Sequence, residues 1–166
     1  MVAAPRPAGD SATGDIEADL RAAIGGEVRF DAVTRQMYST DASIYQINPV
    51  GVVIPRDVDD VSAVLEIASK NGVSVLPRGA GTGLSGQTVN RGIVIDFSKY
   101  MFDVREINRE ERWVRTQPGV TINDLNRQLR SSGLFFTPDP STSSRANIGG
   151  AMGNNSCGAH SILYGK

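Results

Sequence analysis

The chain has 166 residues, 40% of them apolar and 21% charged, with a formal net charge of −1. That length suits one ordinary domain with a real core, burying roughly 70% of the unfolded surface, and so balanced a charge offers no footprint for nucleic acid or an anionic membrane. The single cysteine, Cys157, excludes an internal disulfide and fits a reducing compartment, and no apolar run is long enough to cross a membrane.

Residues 1–14, MVAAPRPAGDSATG, lack the apolar stretch of a secretory signal and read as a disordered leader. Residues 15–45 read as a helix and a connector. Ile16, Leu20, Ala23 and Ile24 share one helical face, and Gly25-Gly26 stops it. Residues 51–54 (GVVI) predict a buried strand ending at Pro55. The stretch 57–72 predicts a helix capped by Asp57, with Val58, Val61, Leu65 and Ala68 inward and Gly72 at its C-terminal stop. A second apolar run, 73–77, leads into the glycine-rich loop, and 92–97 (GIVIDF) predicts another buried strand. Residues 102–107 and 112–117 predict a hairpin across Asn108–Glu111. Thr121 and Asp124 resemble a capping box before a helix over 122–132, with Ile122, Leu125 and Leu129 inward and Gly133 as its stop. From 141 to 160 the chain is rich in Ser, Asn and Gly and reads as loop.

Strand–helix–strand order argues for parallel pairing and an α/β or α+β layer structure. The pattern divides into a first α/β subdomain over 46–100 and a second over 101–166. Glycine is the compositional outlier, with 18 residues that cluster at 79–86 and 149–158. Both clusters are expected on loops where a ligand approaches backbone, because a missing Cβ permits that approach.

The first cluster, 77-PRGAGTGLSGQT-88, admits three readings. Residues 81–86 match G-x-G-x-x-G, but a dinucleotide-binding turn must open a helix, and the residues after Gly86 lead to a β-like run instead. No lysine lies in 77–91, so the cation of a Walker loop is absent. The third reading is a non-helical anion loop, in which successive backbone N–H groups form a nest for a diphosphate. A flexible connector or tight hairpin is the plainer alternative, and it rarely carries Pro-Arg before the glycines and a strand directly after them.

PRGAGTGLSG resembles the phosphate loop of the FAD-linked oxidases, the vanillyl-alcohol-oxidase or PCMH-type flavoproteins. The stretch 138-PDPSTSSRANIGGAMGNNSCG-158 resembles their second flavin segment, and GVVIPRDVDDV resembles their entry to the first helix. Within that family the chain most resembles the D-2-hydroxyacid dehydrogenase and glycolate oxidase D-subunit branch, and DASIYQINPVGVVIPR and INREERWVRTQPGV also resemble the large bacterial enzymes that carry a C-terminal iron–sulfur region. The resemblance covers roughly residues 40–166. It implies an α+β, PCMH-type fold of two α/β subdomains, the second incomplete, and a chain that is the N-terminal portion of a larger enzyme.

It also implies a flavin-dependent oxidation of a D-2-hydroxy acid. FAD would be met by Arg78, Gly79, Ala80, Gly81, Thr82, Gly83 and Leu84 at the diphosphate. Pro138, Asp139, Ser143, Ser144, Gly149, Gly150, Asn154, Asn155 and Ser156 would lie along the ribityl chain and flavin ring. Some relatives attach flavin through a histidine in the loop; Ala80-Gly81-Thr82 has none, so FAD is expected to be noncovalent. Implied partners are a small-molecule substrate, a C-terminal cap and an iron–sulfur region or subunit, with no nucleic acid and no transmembrane segment. The implied location is cytoplasmic, with peripheral attachment at the inner membrane as the variant. A nucleotide-binding module, or a fragment inert on its own, is the alternative.

Several residues invite chemistry. His160, the one histidine, could act as a base, but a structural hydrogen bond is the preferred reading. Cys157 has no neighbouring cation to lower its pKa and reads as packing. Arg78 either meets phosphate or braces the loop through carbonyls. Arg145 could pair with a carboxylate but reads as a surface or brace residue. Asp139 touches cofactor or simply forms a Pro-Asp-Pro turn. Trp113 reads as packing, and Glu110-Glu111 as a charged hairpin tip.

Overall fold

The computed structural model describes residues 10–166. They group into two compact units. The first holds the chain up to Arg78 together with Gly83–Asp96, and the second holds Gly79–Thr82 together with Phe97–Lys166. The first nine residues of the predicted leader lie outside the described residues, and helix α1 runs Asp10–Ala23, five positions ahead of the predicted start.

The first unit is a four-stranded sheet with helices. Strands β1 (Glu27–Arg29), β2 (Gly51–Ile54), β3 (Val75–Arg78) and β4 (Ile93–Asp96) lie in the order β1-β2-β4-β3. The pairs β2–β4 and β3–β4 are parallel, and β1 adds antiparallel to β2. Strands β2 and β4 are buried at every position, as continuous Val/Ile runs require when both faces are covered. Pro77 is tolerated because β3 is an edge strand. Helix α2 (Ala32–Met37) follows β1; neither is signalled by a long apolar period, and both are absent from the sequence expectation.

Helix α3 (Val58–Lys70) is capped by Asp57, whose carboxylate accepts the Asp60 amide at 2.9 Å. Its predicted face is corrected. Val58 and Leu65 are 66% and 46% exposed, and the buried positions are Asp60, Val64 and Ala68. The rotation follows from Asp60, whose two oxygens accept the amides of Gly25 and Arg56, each at 2.8 Å. A carboxylate that satisfies two otherwise orphaned amides can be buried, and here it turns the helix so that Val64, not Leu65, is buried.

The second unit begins with the hairpin of β5 (Val104–Asn108) and β6 (Trp113–Thr116), antiparallel as expected. Asn108 accepts the Glu111 amide at its tip, and Trp113 donates to the Glu111 carboxylate. Helix α4 (Ile122–Leu129) starts at Thr121, whose hydroxyl accepts the Asp124 amide at 3.1 Å. It ends in a 3₁₀ turn, Arg130–Ser132, before Gly133 at φ +72°. Ile122, Leu125 and Leu129 are buried with Val120, Ala146, Ile148 and Ala151. The Ser/Asn/Gly-rich stretch is not all loop, since Ile148–Gly153 form α5; Ser161–Tyr164 form α6 just beyond it.

Candidate cofactor site

The glycine loop leaves β3 at Arg78, passes to the second unit at Gly79 and returns to the first at Gly83. No helix begins at Gly83; the loop is coil up to β4. Gly81 and Gly86 take φ of +66° and +75°, a region in which side chains cost about 1–2 kcal/mol. Among the described residues, the amides of Gly81, Thr82, Gly83 and Leu84 donate to no protein acceptor. Four successive unspent donors, part of them half-buried, are what an anion loop needs and what a hairpin would consume.

Within the first unit the loop is held at both ends. The Arg78 guanidinium donates to the carbonyls of Tyr38 (3.1 Å), Thr88 (2.9 Å) and Thr40 (2.7 Å), and lies 5.3 Å from the centre of the Tyr38 ring. Of the two roles open to it, bracing is the one its donors perform. Tyr38 in turn donates to Asp96 at the end of β4; burial, and then that carboxylate, raise the Tyr38 pKa above its ordinary value and keep it a donor. Asp41 accepts the amide and hydroxyl of Thr88. Burial raises its pKa, but hydrogen bonds from Ser43 and Thr88 prevail and hold it below the ordinary value. The Tyr45 ring packs on Gly86, where a Cβ would fall 2.4 Å from it. Gly83 faces the Gln87 side chain, and Leu84 is 77% exposed.

Within the second unit, Asn147 organises the other half of the loop. It is 6% exposed; its Oδ1 accepts the Ala80 amide at 2.8 Å, and its Nδ2 donates to the Gly119 carbonyl at 2.6 Å. A Cβ on Gly79 would lie 2.3 Å from that Oδ1. Asn147 stands among the residues that resemble the second flavin segment, yet nothing in the sequence singles it out beyond its place just before a Gly-Gly helix start. A cleft of about 670 Å³ opens here, lined by Ala80, Gly119, Thr121, Ser144, Arg145 and Asn147 among others. Among the described residues the Arg145 guanidinium has no partner.

The other predicted contacts divide. Ser143 gives its carbonyl to the Asn123 amide and its own amide to the Pro140 carbonyl, so its backbone is spent on the turn after Pro138. Both Asp139 oxygens meet His160, one through the backbone amide and one through ring Nδ1. Those hydrogen bonds hold the Asp139 carboxyl below its ordinary value, and they make the pair a brace of the 139–160 turn. Gly149 lies against Pro118, where a Cβ would approach to 2.6 Å, whereas Gly150 faces open space. Asn154 and Asn155 close α5, Asn155 at φ +47°, and the Ser156 amide returns to the Ala151 carbonyl at 2.9 Å. That is a Schellman cap with asparagine in place of glycine. Trp113 stays with the hairpin, beneath the Arg115 guanidinium at 5.6 Å. Cys157 is exposed, which corrects its reading as a packing residue.

Comparisons with known proteins place this geometry. The chain is 43% identical over 154 residues to D-2-hydroxyglutarate dehydrogenase of Pseudomonas putida, covering 91% of this chain and 15% of that one. It is 40% identical over 147 residues to the glycolate oxidase subunit GlcD of Bacillus subtilis, covering 86% and 31%. It therefore spans under a third of the length of these relatives. In fold it matches an alkyldihydroxyacetonephosphate synthase, with TM-score 0.81, 22% identity and coverage of 92% and 34%. It also matches p-cresol methylhydroxylase, with TM-score 0.74, 18% identity and coverage of 91% and 30%. No described helix is long and apolar enough to cross a membrane. The model of the FAD binding domain matches residues 49–166, from the strand β2 entry through both glycine clusters, and the chain belongs to that family.

Proposed function

We propose that this chain is the flavin-binding part of an oxidoreductase that converts a D-2-hydroxy acid to the 2-oxo acid. Lactate, glycolate and 2-hydroxyglutarate define the substrate class. When bound, FAD supplies the hydride acceptor at N5. The chain supplies position: the amides of Gly81, Thr82, Gly83 and Leu84 meet the diphosphate, Gly79 and Ala80 set the entry to the loop, and Arg78 holds its shape from behind. Pro138, Asp139, Ser143, Ser144, Gly149, Gly150, Asn154, Asn155 and Ser156 border the ribityl chain and ring. In that set Gly150 offers the open backbone surface, while Asp139 and Asn155 act through the turns they close. Binding is noncovalent, since 79–84 contains no His, Cys or Tyr to form a flavin bond. The substrate cap and an iron–sulfur region or subunit lie elsewhere in the working enzyme, which is cytoplasmic or peripherally attached to the inner membrane.

The observation that carries this reading is the run of unspent amides in coil, in a chain whose family binds FAD. The test is titration of the chain with FAD, followed by quenching of flavin fluorescence. Binding by the parent, its loss in Gly81→Val and a smaller loss in Arg78→Ala are expected. Equal binding by all three would remove the loop from the site. A parent that binds no FAD would favour the inert-fragment alternative. Turnover of a D-2-hydroxy acid with a dye acceptor separates an enzyme from a nucleotide-binding module, and little or none is expected from these residues alone.

A further inference from the structure

We infer that Asn147 is the positioning residue of the glycine loop: its buried amide fixes the Gly79–Ala80 turn from which the free donors of 81–84 are presented. The inference rests on the flavin reading and adds to it what shapes the loop.

Asn147 occupies the N-cap position of α5 but makes no side-chain cap bond there. An N-cap asparagine ordinarily accepts an amide of its own helix. This one spends its acceptor on Ala80 and its donor on Gly119. The two bonds need a donor and an acceptor on one short planar group, which aspartate, leucine or alanine cannot give. The residue is also held rigidly. Ala146 accepts the Ile122 amide at 3.1 Å, Ile148 donates to Val120 at 2.8 Å and Gly149 donates to Pro118 at 2.9 Å. Val120, Ile122 and Ile148 are 1–3% exposed, so this ladder lies in the core. Gly79 completes the fit, because any side chain there would displace the Asn147 amide. Ala80 is thus tied to the core of the second unit, and the four residues after it keep their amides free.

The full chain carrying Asn147→Ala should bind FAD at least about tenfold more weakly, the scale of one buried hydrogen-bond partner removed. The Ala80 amide should lose protection from hydrogen exchange, while β2 and β4 exchange as in the parent. Asn147→Asp keeps the acceptor and should retain part of the Ala80 protection. Gly79→Ala disturbs the same contact from the opposite side with Asn147 intact. In the double variant the new methyl takes the space of the deleted amide, so the pair should cost no more than Asn147→Ala alone.

Parent-like FAD affinity in Asn147→Ala, or losses that simply add in the double variant, would overturn the inference. If the parent takes up no FAD, the flavin reading fails separately. The clamp is then judged by exchange, and equal Ala80 rates in parent and Asn147→Ala reject it.

Discussion

Residues 79–86 and 149–158 hold glycine at similar density, yet the first stretch is coil and the second opens as α5 and closes in a tight turn. In the first, Gly81 sits at positive φ and the amides from 81 to 84 have no protein partner. In the second, two of the four glycines admit the protein itself, while Gly150 and Gly153 face open space. Gly149 admits Pro118, and Gly158 admits the Asp139 carbonyl, which a Cβ would approach to 2.1 Å. Clustered glycine therefore reports close approach, but not what approaches. The hydrogen-bond state of the neighbouring amides makes that distinction.

Substitutions at the glycines sharpen the contrast. The largest effect expected is on ligand rather than fold. Gly81→Val should lower FAD affinity about a hundredfold, as several charge-assisted bonds are lost together, with an unfolding cost of only about 1–2 kcal/mol from its positive φ. Gly158→Ala and Gly149→Ala should reverse that balance. Overpacking against fixed backbone and Pro118 should cost about 1–3 kcal/mol in denaturant unfolding, and in Gly158→Ala, which lies outside the proposed contacts, FAD affinity should change only as far as the fold does. If either lowers FAD affinity a hundredfold at parent stability, the second cluster binds ligand as directly as the first. Gly150→Ala has space for its methyl and gains helix propensity, so the apo protein should be more stable by up to about 1 kcal/mol. A simultaneous fall in FAD affinity would place the flavin against Gly150; unchanged affinity would remove it from the site.

The smallest effect is on pH. The folded-state pKa of Asp139 is depressed below its ordinary 3.8 by the His160 bonds. The bridge therefore contributes fully above that ordinary value and is lost as pH falls through the depressed one. Hydrogen exchange over 158–164 should accelerate in that acid range, and Asp139→Asn should remove the acid-dependent step. An identical acid profile in Asp139→Asn would show that another group opens the segment.

Much of the frame was legible because its signals were local. The apolar runs of β2 and β4, the Asp57 cap and the Thr121–Asp124 pair each act within a few residues, and each forms as read. The face of α3 was not legible, since a buried aspartate made acceptable by the nearby Arg56 amide and by the Gly25 amide 35 residues away outranks a leucine. Helix α5 was hidden by Gly149-Gly150, a poor helix start on propensity that is set by the Val120 and Pro118 carbonyls. At the site, the loop itself was legible, while its supports were not. Asn147, Tyr38 and Asp41 lie 67, 40 and 47 residues from the groups they hold, and no periodicity spans such distances. The Arg78 alternatives were likewise separable only by locating its three carbonyl acceptors.

The central claim is that the amides of Gly81, Thr82, Gly83 and Leu84 hold the diphosphate of FAD. Backbone amide NMR of the chain during FAD titration tests it most directly. Those four resonances should move together, and their exchange with solvent should slow as the flavin binds. Saturable flavin binding with all four unchanged, and the perturbation centred on other residues, would contradict it.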